Sequence, residues 1–151
     1  MRRILLVISA ALILGCTATT ATRYEGLLDE LSIPASWELV HAEIVPPDGS
    51  GGCLQIATNC PSVSRYYLVD DQPIETYRQA TRVLQTAGFV IEQEFDPECD
   101  APPSNPACAL RAVVEREFVR LSVYHVGQDS GEGLDLAEDG RTLLRITASA
   151  K

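Results

Sequence analysis

Between Asp71 and Phe89 the sequence admits one local structure, a helix with both ends marked. Asp71 suits an N-cap, and Pro73 and Glu75 suit a first turn, where a backbone N–H is dispensable and negative charge meets the helix dipole. Ile74, Tyr77, Thr81 and Leu84 recur at three- and four-residue steps, with Ala80 and Ala87 beside them, making one apolar stripe. Gly88 falls where a left-handed residue ends a helix, and Phe89 can fold back onto the last turn. The pattern predicts a helix over about 73–87. Such a helix cannot bury its stripe alone, so the rest of the chain must supply a second layer.

The remaining segments read mainly as strands. Trp37 to Val45 alternates, with Val40, Ala42 and Ile44 on one face and Leu39, His41 and Glu43 on the other. Arg65 to Val69 is a shorter strand. Phe89 to Phe95 places Phe89, Ile91 and Phe95 inward and Glu92, Glu94 and Asp96 outward. Ala109 to Val114 and Phe118 to Val126 form either a hairpin or one bent strand, because Glu115-Arg116-Glu117 lacks the Gly or Asn of a tight turn. Thr142 to Ala148 aligns Leu144, Ile146 and Ala148. Tyr24 to Leu31 has room for two helical turns before Pro34. The expected fold is a two-layer α+β domain over 24–151, one main amphipathic helix on a mostly antiparallel sheet of five or six strands.

The first residues carry an address. Arg2 and Arg3 precede an apolar run, Ile4 to Leu14, interrupted only by Ser9. That run is shorter than the roughly 20 residues needed to cross a bilayer, and it matches the core of a secretory signal. It ends in Ile13-Leu14-Gly15-Cys16, which resembles the lipobox of bacterial lipoproteins. The resemblance implies a diacylglyceryl group on the Cys16 thiol, removal of 1–15 as a signal peptide, and a lipidated tether over 16–23. Two acyl chains suffice for durable attachment where one does not. Thr17, in place of the Asp that retains many lipoproteins at an inner membrane, implies the outer membrane in a host that has two. The segment Leu31-Ser32-Ile33-Pro34-Ala35-Ser36-Trp37-Glu38 resembles uncharacterised small bacterial lipoproteins, a likeness that implies no activity.

Charge and cysteines narrow the function classes. Without residues 1–15 the chain keeps ten of its twelve basic residues against 21 acidic ones, a formal charge of −11. That balance speaks against nucleic acid, which needs clustered Lys and Arg, and against a basic patch on anionic lipid. Cys53, Cys60, Cys99 and Cys108 remain after Cys16. In an exported chain they read as two disulfides. Each neighbouring pair brackets a loop rich in chain breakers, which favours Cys53–Cys60 and Cys99–Cys108, with a crossed pairing as the rival. Their gaps are too wide for a structural zinc site.

No catalytic, cofactor or metal residue is assigned. His41 and His125 read as strand residues. Asp129, Glu132, Asp135, Glu138 and Asp139 form an acidic loop in which Gly131 and Gly133 stand where an EF-hand needs ligands. Gly49-Ser50-Gly51-Gly52 lacks the following helix and Lys of a phosphate cradle. Arg78 and Arg82, one helical turn apart, belong to a solvated face. Trp37, Tyr66, Tyr67 and Tyr124 read as core or cross-strand residues rather than as a ligand groove. The expectation is a non-enzymatic binding or accessory module of the cell envelope, with a possible envelope protein as partner. A small hydrolase or ligand carrier with a site built from scattered residues is the alternative. Intact-mass analysis of the membrane-bound protein should show a chain that begins at Cys16, carries added acyl mass and lacks the four hydrogens lost to two disulfides.

Overall fold

The computed structural model describes residues 21–45, 61–100, 106–115, 117–125 and 141–150. Helix α1 covers 21–29, slightly earlier than its apolar pattern suggested, and strand β1 follows at Glu38–Val45. Then come β2 (Ser62–Val69), α2 (Pro73–Thr86), β3 (Val90–Phe95), β4 (Cys108–Val114), β5 (Glu117–His125) and β6 (Thr142–Ala150). All six strands form one antiparallel sheet in the order β1-β2-β6-β5-β4-β3. Both helices pack against its inner face, giving the α+β architecture.

The sheet order explains why α2 is central. Since every neighbouring pair is antiparallel, β2 and β3 run in the same direction with β6, β5 and β4 between them. A same-direction pair requires a crossover, and α2 supplies it by traversing the inner face. It buries Pro73, Thr76, Tyr77, Ala80 and Leu84. The buried stripe is therefore turned slightly from the expected one: Thr76 is fully buried, Ile74 only partly, and Thr81 lies at its margin. Opposite it the strands present Leu110 and Ala112 from β4, Val119, Leu121 and Val123 from β5, and Leu144, Ile146 and Ala148 from β6. These side chains are essentially without solvent exposure.

The ends of α2 show one departure and one agreement. Gln72, not Asp71, occupies the N-cap, and no side chain caps the helix. Asp71 contributes its carbonyl oxygen instead, accepting from Thr142 Oγ1 at 2.6 Å and Thr76 Oγ1 at 3.4 Å, which ties the helix entrance to β6. At the other end Gly88 adopts φ +88°. The Gly88 N–H donates to the Gln85 carbonyl and the Phe89 N–H to the Leu84 carbonyl, both at 3.0 Å, the paired bonds of a Schellman motif. Phe89 is buried in the core, as its position implied.

Local irregularities redirect side chains. A bulge between Ile91 and Gln93 inverts the alternation of β3. Glu94 consequently sits on the helix side opposite Leu110, and Phe95 turns to the other face, 46% exposed, the reverse of the expected arrangement. A second irregularity between Leu39 and His41 interrupts β1, an edge strand with Leu39 and Ile44 exposed. The pairing of β2 also starts at Ser62, three residues before the sequence pattern begins, because β1 and β6 both reach that far. β4 and β5 are a true hairpin, with Val114 paired to Glu117, and Glu115 takes the left-handed conformation that Gly or Asn would have adopted without strain.

Helix α1 is locked to the sheet by apolar and ionic contacts together. Tyr24, Leu28 and Leu31 are buried in the common core. Arg23 pairs with Glu117 of β5, whose side chain is almost fully buried, and Asp29 pairs with Arg65 of β2 at 2.5 Å. Burial by itself would lower the Arg65 pKa, but its bonds to Asp29 and Tyr67 outweigh that and leave it raised. Trp37 packs at 6.1 Å on Tyr67 and donates from Nε1 to Gln79 Oε1 on α2, so it joins α2 to the sheet.

Leu84→Ala should cost about 3 kcal/mol by opening a cavity where the helix meets the strands. Glu115→Asn should raise stability by roughly 0.5–1 kcal/mol by relieving a left-handed Glu. Equilibrium denaturation with urea measures both.

Candidate functional site

The residues singled out from sequence fall into separate places. Cys99 and Cys108 form a disulfide, with Cα atoms 4.5 Å apart, so the crossed pairing is not adopted. Asp96 and Cys99 both take positive φ in the turn that leads from β3 into this bridge. Cys16, Cys53, Cys60, Gly49 to Gly52 and the acidic loop from Asp129 to Asp139 lie outside the described residues. His41 is exposed on β1 with its ring 5.4 Å from that of Tyr66, and His125 closes β5. Trp37 and Tyr67 belong to the core, while Tyr66 and Tyr124 belong to a smaller cluster with Leu68 and Leu143 on the opposite face. Among the described residues no three His, Cys, Asp or Glu side chains come together as a metal site would require.

Arg78 and Arg82 line a groove of about 440 Å³ together with Tyr77, Thr81 and Glu94. Its polar groups are largely bonded to their own surroundings. Tyr77 Oη donates to Glu94 Oε1 at 2.8 Å, Thr81 Oγ1 to the Tyr77 carbonyl at 2.8 Å, Arg78 to Glu75 at 2.9 Å, and Arg82 Nε to the Arg78 carbonyl at 3.3 Å. The Tyr77 hydroxyl is driven well above the usual tyrosine pKa by burial and then by the neighbouring Glu94 carboxylate, both of which disfavour the phenolate. This geometry holds Tyr77 as a hydrogen-bond donor rather than as a base. A second groove, of about 310 Å³, lies between α1 and the β4–β5 turn and includes Arg23, Glu30, Glu115 and Glu117.

The face away from α1 and α2, helix-free among the described residues, has a different character, one that sequence reasoning missed. Strand pairing lines up Gln93, Arg111, Arg120, Thr147 and Ser64 across β3, β4, β5, β6 and β2. The adjacent row runs through Phe95, Ala109, Ser122, Arg145 and Tyr66 to His41. Three guanidinium groups thus share a hydroxyl-rich surface. Arg145 lies over the Tyr66 ring at 5.3 Å and donates from Nε to Thr147 Oγ1 at 3.2 Å and from Nη2 to Ser64 Oγ at 3.4 Å. Ser64 and Thr147 are themselves bonded at 2.9 Å, and Tyr66 Oη donates to Glu43 at 3.3 Å. Arg111 covers the Phe118 ring at 4.5 Å and has Glu92 at 3.6 Å, beyond hydrogen-bond range, so its buried Nε is left without an acceptor.

A signal for this surface exists in the sequence. Leu110-Arg111-Ala112, Val119-Arg120-Leu121 and Leu144-Arg145-Ile146 each place an Arg between two inward apolar residues, which sends it to the outer face. What the strings do not contain is the pairing that brings the three together.

No protein family, curated protein or solved structure matches this chain.

Because Tyr77 titrates higher in the folded state than in the unfolded chain, the stability it contributes is complete below about pH 10, the ordinary tyrosine value, and is lost as pH rises beyond it. Tyr77→Phe should therefore lose stability less steeply above pH 10 than the wild type, while costing about 1 kcal/mol at neutral pH through the lost bond to Glu94. Denaturant midpoints recorded across that pH range check the sign.

Proposed function

We propose that this protein is a lipid-anchored, extracytoplasmic binding module of the cell envelope, attached through Cys16 and presenting the helix-free face of its sheet to a partner. The observation that carries the reading is charge segregation. In a chain of formal charge −9, Arg111, Arg120 and Arg145 are gathered on one face of one sheet, opposite the helices. A face whose only task is to meet water gains nothing from two guanidinium groups set directly across from each other, since like charges in register are destabilising. A face that receives an anionic partner does.

The anchor reading rests on the Ile13-Leu14-Gly15-Cys16 segment and the apolar run before it. No described helix is long and apolar enough to cross a membrane. Helical structure is present from residue 21, and the intervening chain spans at most about 17 Å. A domain held on so short a leash stays next to the bilayer, in reach of envelope components and out of reach of distant ones. In a two-membrane host Thr17 favours the outer membrane.

Cys16→Ser should abolish both lipid addition and cleavage, giving a larger protein without acyl mass. Membrane fractionation with mass spectrometry reads this directly. A variant with unchanged size and unchanged fractionation removes the anchor from the reading.

A further inference from the structure

We infer that the β3–β4–β5 end of the helix-free face docks an acidic protein segment, whose carboxylates lie between Arg111 and Arg120 and whose apolar side chains lie on Phe118 and its neighbours. This deepens the binding-module reading and rests on it for the existence of a partner. Arg111 and Arg120 are cross-strand partners on β4 and β5, and this register brings their Cβ atoms within about 5.5 Å of each other. Among the described residues the Arg120 side chain has no ion pair or hydrogen bond, and it is exposed. The Arg111 Nε is buried without a hydrogen-bond acceptor, with Glu92 paired to it ionically at 3.6 Å. A buried donor left unbonded is destabilising, and a carboxylate set between the two guanidinium groups screens their repulsion.

The surroundings identify the ligand as a protein segment. Phe118 lies beneath Arg111, and at the sheet edge Val90 and Phe95 are 65% and 46% exposed on the same face. Arginine beside aromatic and aliphatic groups is the composition of interface hot spots. The surface is a sheet face rather than a pocket, and small ligands need concavity to bury most of their area. An anionic bilayer is opposed by the −11 formal charge of the chain without residues 1–15. A short acidic segment responds mainly to charges within a Debye length of about 8 Å, where Arg111 and Arg120 lie beside the Glu92 carboxylate, 3.6 Å from Arg111.

The test uses the full chain in neutral detergent micelles and a fluorescent decapeptide alternating glutamate with leucine. Fluorescence anisotropy should show binding that weakens as salt is added. Arg120→Glu should weaken it by at least about tenfold, with Arg120→Lys retaining most of it. Arg78→Glu, on the opposite face, should bind as the wild type does. Three results overturn the proposal: no binding up to about 1 mM peptide, equal binding by wild type and Arg120→Glu, or anionic vesicles binding where the peptide does not. Cys16→Ser carries the same surface, so it should bind the peptide unchanged even if the anchor assignment fails.

Discussion

The burial of the α2 stripe against the inner faces of β4, β5 and β6 holds this fold together. Tyr77, Ala80 and Leu84 meet strand residues that are closed to solvent, and the same contact is what allows β2 and β3 to run in one direction across the sheet. Fully burying one large aliphatic side chain contributes about 1.5–3 kcal/mol, so this interface outweighs any single polar contact in the molecule. The Schellman bonds at Gly88 and Phe89 matter because they aim the chain from the helix end into β3. The disulfide at Cys99 and Cys108 then fastens the exit of β3 to the start of β4, at the same edge.

A sheet covered by helices on one side has two chemically distinct faces, and the arginines show the difference. Arg65 points toward the helices, where Asp29 and Tyr67 receive it and it serves to dock α1. Arg145, paired on the same strands one position away, points outward and joins Tyr66, Ser64 and Thr147. Inner-face charge is spent on structure because it is partly desolvated and needs a fixed partner. Outer-face charge remains addressable from solvent. Arg111, Arg120 and Arg145 are gathered on that outward face.

Several side chains had to be relocated once the strands were paired. Strict alternation sends Phe95 inward and Glu94 outward, but one extra residue at Ile91–Gln93 exchanges them, and the exchange brings Glu94 to the Tyr77 hydroxyl. Asp71 has the right chemistry for a cap, yet its carbonyl is taken by Thr142 from a strand about seventy residues away in sequence, and Gln72 stands at the helix start. Glu115 enters a turn that its side chain disfavours because the pairing of β4 with β5 on either side is worth more than the strain. In each case a long-range hydrogen-bond ladder overrode a local preference.

Sequence alone determined the main helix, its glycine-marked end, the shared face of Leu144, Ile146 and Ala148 in β6, and the expectation that neighbouring cysteines pair, as Cys99 and Cys108 do. These are matters of period and local chemistry, legible within a window of ten or fifteen residues. Tertiary structure alone decided that β6 inserts between β2 and β5, that α2 must cross three strands, and that Arg111, Arg120 and Arg145 become neighbours. Strand order and register are set by hydrogen bonds and side-chain pairs between segments far apart in the chain, and no local pattern encodes which edge meets which.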